Sequence, residues 1–446
     1  MIISAVFPPV STSGIHRVVR ATRYLTEMGV DVTVLTVDEK TLPKSFSYDH
    51  NVLEKSPPSV AVHRVPAIQA LRKLIDLKNR GENKGSQGST QPSAKAVETA
   101  ASENGASKKS TAQTIKDAIT LNLNTPDNFS MWIRPAIKAG TQIVQHKGIT
   151  NIFSSSPPGS VHVVANQIKK RTGARWIADF RDPWSRKRWF NPEMTAFKNQ
   201  AIKRFERRTI QNADKLIMNT AELLEDFGNH YGPVIQRKST VITNGFDPAD
   251  FGDLPEPNGK ADDRLTICHT GTFYRQRSPM PFLQGLKRAV DSGVPKTRFR
   301  VQFIGGVGDH KPNVDKFISE NDFGDVIEII PSIPHRDCLI AMREADVLLI
   351  VQPVTTIQIP AKIFEYIATG KPILTLSALG ATSNVVTKNE LGWWADFDSE
   401  EQIGERIIEI EKFFSNPENR NWKPKQEALD RFNGKILVER MFDLLS

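Results

Sequence analysis

Apolar and polar positions along this chain alternate between two periods. Ile2–Phe7 is a short apolar run of the kind a buried strand uses. From Ile15 to Glu27, Val18, Val19 and Leu25 recur with helical spacing, with Met28 just beyond, while Arg17, Arg20 and Arg23 occupy the other face. Gly29 stands where a glycine commonly closes a helix. Val30–Val37, carrying Val32, Val34 and Leu35, reads as the next strand. Strand, helix and strand in such short order form a βαβ unit and predict a parallel sheet. The alternation continues with a helix over Met131–Gln145, a strand over Ile149–Ser154, a helix over Val161–Lys170 and a strand over Arg175–Asp179. Then come a charged helix over Ala201–Asn212 and strands at Lys215–Asn219 and Thr240–Thr243.

The second half repeats the rhythm. Strands are expected at Leu265–His269, Phe299–Ile304, Val326–Ile329, Val347–Val351 and Ile373–Leu376. Helices are expected at Met280–Val290, Arg336–Glu344, Pro360–Thr369 and Gln426–Leu445. Asn244–Arg264, rich in Gly, Pro and Asp, is the best boundary between the halves. The expected domains are therefore 1–245 and 246–428, with a tail over 429–446. One segment departs from the rhythm. Residues 81–113 hold no aromatic residue and a single branched aliphatic, Val97, too little apolar surface to offset the entropy of ordering. They read as a disordered surface insertion within the first domain.

A chain of 446 residues exceeds the size at which single cores stop growing, about 250–300 residues, so two domains are expected. With only two cysteines, Cys268 and Cys338, neither a disulfide framework nor a Cys/His zinc site is indicated, and a reducing cytoplasm fits best. No run approaches the ~18–20 apolar residues of a spanning helix. The N-terminal run lacks a basic flank and breaks at Pro8 and Pro9, which favours a first strand over a signal peptide.

The chemistry concentrates at predicted strand ends, where open α/β sheets bind ligands. Gly14 lies between the first strand and its helix, in a turn that either binds phosphate or is simply tight. It belongs to neither a G-x-G-x-x-G fingerprint nor a P-loop, which argues against a nicotinamide enzyme and a kinase. In Ile359–Leu374, Pro360 and Ala361 open a helix on which Lys362 and Glu365, three residues apart, share one face. Free helix N–H groups plus Lys362 suit a diphosphate, and the carboxylate a turn later suits paired sugar hydroxyls. The same spacing also serves a solvated ion pair.

This last segment resembles the nucleotide-binding helix of the GT-B glycosyltransferases, in particular the retaining family 4. Phe7–Arg17, Ser154–His162, Trp176–Trp184, and Val241–Asp247 followed by His269–Tyr274 resemble the same family, in the same order. The resemblance implies an α/β fold of two doubly wound Rossmann-like domains facing a central cleft, the final helix crossing back to the first domain. It implies a hexosyltransferase that moves a sugar from a nucleotide diphosphate donor to a saccharide or lipid-linked envelope acceptor with retention, and with no cofactor or metal. The donor would be held by Gly14, Gly271, Thr272, one of Arg275 and Arg277, Pro360, Ala361, Lys362 and Glu365. Ser155, His162, Arg181 and Asp182 would lie on the acceptor side, with Arg181, Asp182 and Lys362 at the reacting centre. Three departures stand out. Arg181 and Asp182 occupy the place of a His-Asp pair, the Arg-then-Lys spacing of the donor loop is missing, and Ile357 falls where a first Glu should precede Glu365, with Gln358 beside it. A GT-B nucleotide-sugar epimerase and an inactive scaffolding relative in polysaccharide assembly are the alternatives.

Charge adds one more expectation. The net charge is +9, and Arg181–Arg208 carries nine Lys/Arg against three acids with Trp184, Trp189 and Phe190 interleaved. Basic residues with aromatics suit an anionic membrane, at which the protein would be peripheral on the inner face. A solvated helix face is the plain alternative. Nucleic acid is not expected, since no recognised module accompanies the run.

Overall fold

The computed structural model describes residues 1–12, 14–43, 46–68, 125–185, 196–256 and 262–445. They form two units. One comprises Met1–Asn219, Leu223–Ile242 and Val438–Ser446, the other Thr220–Glu222 and Thr243–Leu437. The insertion read at 81–113 lies outside the described residues, as do Arg186, Lys187, Arg188, Trp189 and Phe190 of the basic run.

The strands, in chain order, are β1 (Ile2–Ile3), β2 (Val10–Ser11), β3 (Thr33–Val37), β4 (Ser47–Tyr48), β5 (Ala61–Val65), β6 (Asn151–Ser156), β7 (Arg175–Phe180), β8 (Lys215–Met218), β9 (Ser239–Val241), β10 (Leu265–Thr270), β11 (Phe299–Ile304), β12 (Ile327–Ile330), β13 (Val347–Gln352), β14 (Ile373–Ser377) and β15 (Gly392–Ala395). In the first unit a parallel sheet runs β5-β3-β1-β6-β7-β8-β9, while β2 and β4 form a separate antiparallel pair. In the second unit a parallel sheet runs β12-β11-β10-β13-β14-β15. Each sheet is therefore doubly wound, and its strand order reverses once: at β1/β6 in the first unit and at β10/β13 in the second. Those reversals are where open α/β sheets leave a crevice for ligands.

The periodicities explain the layers. Helix Ile15–Glu27 ends where the pattern placed it, burying Ile15, Val18, Val19, Ala21 and Leu25. β3 is buried throughout, as a strand covered on both faces must be. In the second unit Ile267, Phe303, Leu349 and Leu374 of the sheet share a core with Phe282 and Leu286 of helix Met280–Asp291 and Ile403 and Ile407 of helix Glu400–Ser415. On the opposite face Leu348 and Ile350 meet Ile363, Phe364, Tyr366 and Ile367 of helix Lys362–Thr369. Each such side chain contributes roughly 1.5–3 kcal/mol by burial.

Two expectations change. The tail is not one helix but two, Gln426–Phe432 and Gly434–Phe442. Between them the Phe246 amide donates to the Phe432 carbonyl and the Gly434 amide to the Phe246 carbonyl, so the chain spends hydrogen bonds on Phe246 instead of continuing the helix. The helix expected from Pro360 begins at Lys362, with Ala361 as its N-cap.

Candidate functional site

In the first unit the candidate residues gather at the β1/β6 reversal around one buried carboxylate. Asp179, at the end of β7, is fully buried. Arg17, on the first turn of its helix, donates to it through Nε at 2.8 Å and Nη2 at 2.7 Å, and Nη2 also donates to the Ile242 carbonyl at 2.9 Å. Ser155 is the register partner of Asp179 on neighbouring β6, and its hydroxyl donates to the same carboxylate at 2.6 Å.

Arg181 follows β7 and is spent on backbone. Its Nε donates to the Ser156 carbonyl at 3.1 Å, Nη1 to the Gly14 carbonyl at 2.5 Å and Nη2 to the Pro157 carbonyl at 2.5 Å. Burial lowers its pKa, and the neighbouring charges of Asp179 and Asp182 oppose that. A Cβ at Gly14 would sit 2.1 Å from Arg181 Nη1, so a larger residue there would have to push the guanidinium off its carbonyls. The close approach that this glycine allows is thus taken by a guanidinium of the same unit, which ties the loop after β1 to the loop after β6. Asp182 sits half-buried beside it.

His162 lies inside helix Ser160–Thr172, fully buried. Its ring packs against Phe180, Trp184 and Trp176, and Nδ1 lies 2.7 Å from the Ser154 hydroxyl, which also accepts from Trp176 Nε1. Burial, helped by the Arg181 charge, pushes its pKa down to about 3, so the ring is neutral. Placed there, His162 supports the loop after β6 from behind.

In the second unit the residues converge at the β10/β13 reversal. Gly271 leaves β10 at φ +119°, a conformation that disfavours side chains. The Thr272 hydroxyl donates to the Gly305 carbonyl at 2.8 Å. Arg275 is exposed, with φ +52°. Arg277 lies over the Tyr274 ring at 5.2 Å and donates to its hydroxyl at 2.9 Å, which fixes its direction. Helix Lys362–Thr369 is anchored to the end of β10 by Tyr366, whose hydroxyl accepts from the Thr270 amide at 2.9 Å. Between them His269 stacks on Phe273 with centroids 4.0 Å apart and its Nδ1 lies 2.8 Å from the Leu349 carbonyl. Burial lowers its pKa to about 4, and the charges of both Lys362 and Arg277 push in the same direction. Two cations, one from the loop after β10 and one from the start of helix Lys362–Thr369, therefore both act on this ring.

Lys362 and Glu365 share a face as their spacing required: Nζ lies 2.9 Å from Oε2. On the other side His335 Nε2 donates to Glu365 Oε1 at 3.2 Å. Burial works to raise the Glu365 carboxyl, but the His335 hydrogen bond and the Lys362 charge outweigh it and hold it down at about 2. Pro360 and exposed Ala361 precede this pair.

Sequence reasoning missed three contributors. Arg17, read there as a polar helix face, is the partner of Asp179. His335 carries no motif. The third had a visible signal: in Gly305-Gly306-Val307-Gly308 after β11, the glycines have φ of +108°, +82° and +51°. A Cβ at Gly305 would meet Gly271 at 2.8 Å, so this loop nests on the Gly271 loop. Among the described residues no group of three His, Cys, Asp or Glu is placed to hold a metal ion. No described helix is long and apolar enough to cross a membrane.

No protein-family model matches the sequence, and no curated protein does. Solved structures do match in shape. Sucrose-phosphate synthase from Thermosynechococcus elongatus superimposes with a TM-score of 0.60 at 13% identity, covering 99% of this chain and 97% of that one. HepE from Anabaena, in complex with UDP and glucose, gives 0.58 at 11% identity over 100% and 98% of the two chains. WaaG, a glycosyltransferase involved in lipopolysaccharide biosynthesis, gives 0.57 at 14% identity over 100% of both. At such identities the likeness speaks to the fold, and with the two doubly wound sheets it identifies that fold as GT-B.

Proposed function

We propose that the protein is a glycosyltransferase that takes a sugar from a nucleotide diphosphate donor and passes it to a saccharide or lipid-linked acceptor with retention of configuration. The observation that carries this reading is the convergence at the β10/β13 reversal. Arg277 and Lys362 both bear on His269, beside the Gly271 loop, one helical turn from an ionised Glu365. Two cations and a helix N-terminus suit a diphosphate, and a carboxylate held charged suits the paired hydroxyls of a ribose. Of the two arginines in the loop, Arg277 is the one directed by Tyr274 and is assigned to the diphosphate. HepE, a neighbour in shape, is in complex with UDP and glucose, which supports this class of donor.

The reaction requires no metal in this reading. The bond between the anomeric carbon and the diphosphate oxygen breaks as the acceptor hydroxyl attacks from the same face, and the departing diphosphate oxygen takes the hydroxyl proton. Lys362 and Arg277 stabilise the charge that develops on the leaving group. Asp182 orients the acceptor, Arg181 fixes the loop from which Asp182 is presented, and buried Ser155 acts behind it through Asp179.

One feature favours a second reading, a relative that binds donor without turning it over. Ile357 replaces a carboxylate of the family's pair, and its carbonyl is held at 2.8 Å by the Thr220 hydroxyl. A thermal-shift screen against UDP-, GDP- and ADP-sugars separates these readings from no binding at all. Ligand at 100 times its dissociation constant adds about 2.7 kcal/mol of stability. Stabilisation by one donor, followed by an α-linked product from an α-linked donor, supports transfer with retention. Stabilisation with no glycoside formed from any acceptor supports the second reading, release of free nucleotide without a glycoside supports an epimerase, and no stabilisation by any donor overturns all three.

A further inference from the structure

We infer that the exposed face of helix Ala196–Asn212 is a docking surface for anionic phospholipid bilayers. The helix buries Ile202, Glu206, Thr209 and Ile210 against the first unit. Its outward residues include Gln200, Lys203, Arg204, Arg207, Arg208 and Gln211, all exposed. Phe197 opens the same stripe about two turns before Arg204 and is 67% exposed. The helix has one acid, Glu206, and it faces inward, accepting from the Trp184 and Ser185 amides at 2.7 and 2.9 Å and from the Ser185 hydroxyl at 2.7 Å.

An ordinary solvated face looks different in this same protein. On the surface helices of the second unit several cations carry acids three or four residues away: Lys287 with Asp291, Lys311 with Asp315, Lys316 with Glu320 and Arg406 with Glu409. Lys203, Arg204, Arg207 and Arg208 have no ion pair among the described residues. They also stack like charge on like charge, Lys203 over Arg207 and Arg204 over Arg208, an i, i+4 arrangement that works against the helix. Such a face becomes favourable when a dense layer of negative charge is brought to it.

The exposed phenylalanine selects among anionic partners. A ring at the end of a cationic stripe can enter the boundary between headgroups and acyl chains while the arginines and the lysine stay with the phosphates. A nucleic acid would require the charges to track a strand, and this single convex helix face offers no groove. The inference does not depend on the transfer reaction, since none of these residues belongs to either candidate site.

The test uses the full-length protein and flotation with two kinds of vesicle, phosphatidylcholine alone and phosphatidylcholine with phosphatidylglycerol. Binding is expected only to the second kind and should fall as salt is raised, since the Debye length is about 8 Å at physiological ionic strength. Each cation near such a surface contributes about 1 kcal/mol, so Arg204→Gln with Arg207→Gln should lower the partition coefficient roughly 30-fold. Phe197→Ser should weaken the binding that survives at high salt. The same pair of neutralisations at Lys287 and Lys311 should leave binding unchanged, and the Arg204/Arg207 variant, relieved of like-charge neighbours, should melt at or above the temperature of the parent. No flotation at low salt, parent-like binding by the Arg204/Arg207 variant, or competition by single-stranded DNA at equal charge would each overturn the lipid assignment, the last in favour of a general polyanion surface.

Discussion

Asp179 is the position at which the first unit should be most sensitive to a change of one atom. Asp179→Asn keeps the shape of the side chain and an oxygen for the Ser155 hydroxyl. It removes the counter-charge of Arg17, which is 4% exposed and also donates to the Ile242 carbonyl. Breaking a buried pair by neutralising one member costs about 3–5 kcal/mol, because the surviving charge stays desolvated. A domain has only about 5–15 kcal/mol to lose, so the midpoint of urea unfolding should fall steeply. Arg17→Met should be comparably damaging. The double change Arg17→Met with Asp179→Leu should recover most of the loss, since apolar replacements of a buried pair are often neutral or better. Unfolding is best followed through buried Trp132 and Trp176, which report on the first unit. A cost below about 1 kcal/mol for Asp179→Asn, or strictly additive single and double changes, would refute the argument that this pair holds the loops of the β1/β6 reversal together.

Three further outcomes are expected. Glu365 has its carboxyl pKa depressed from the ordinary 4.5 to about 2, so its contribution is present above about 4.5 and is lost as pH falls toward 2; Glu365→Gln should remove that part of the acid-unfolding curve, and an unchanged curve would count against the His335–Glu365–Lys362 arrangement. A methyl at Gly159 would meet the Trp184 indole at 2.1–2.4 Å, so Gly159→Ala should cost about 1–3 kcal/mol by overpacking, measurable as a lowered melting temperature; an unchanged melting temperature would show that Trp184 can move aside. Replacing residues 81–113 by a short Gly-Ser linker should leave the melting temperature nearly unchanged, because loop-closure entropy varies slowly with length; a large loss would show that the segment contributes to the core.

The hydrophobic pattern carried the fold a long way because buried parallel strands and amphipathic helices have different periods. Ile15–Glu27 and Phe299–Ile304 end where that pattern changes. β5 escaped because Ala61–Val65 is half-buried along its length and includes His63 and Arg64, as suits an edge strand. The break at Asn433 escaped because its cause, Phe246, lies far away in the chain. The site was legible where chemistry is local: Lys362 and Glu365 needed only helical spacing to meet. It was illegible where it depends on pairing at a distance. Arg17 and Asp179 are separated by 162 positions, and their meeting depends on the strand order. Arg181 resembled an anion-binding residue, but its donors go to the carbonyls of Gly14, Ser156 and Pro157, and backbone acceptors leave no mark in a sequence.

The central claim is that the β10/β13 reversal binds a nucleoside diphosphate through Lys362, Arg277 and Glu365. Calorimetric titration of UDP, GDP and ADP into the full-length protein tests it most directly, with Glu365→Gln and Lys362→Ala as the paired variants. At least one nucleotide should bind the parent. Hydrogen bonds to charged groups are worth roughly 1.5–3 kcal/mol, so either change should weaken that binding on the order of tenfold or more. Binding of none of the three, or binding that both variants retain at parental affinity, would contradict the account.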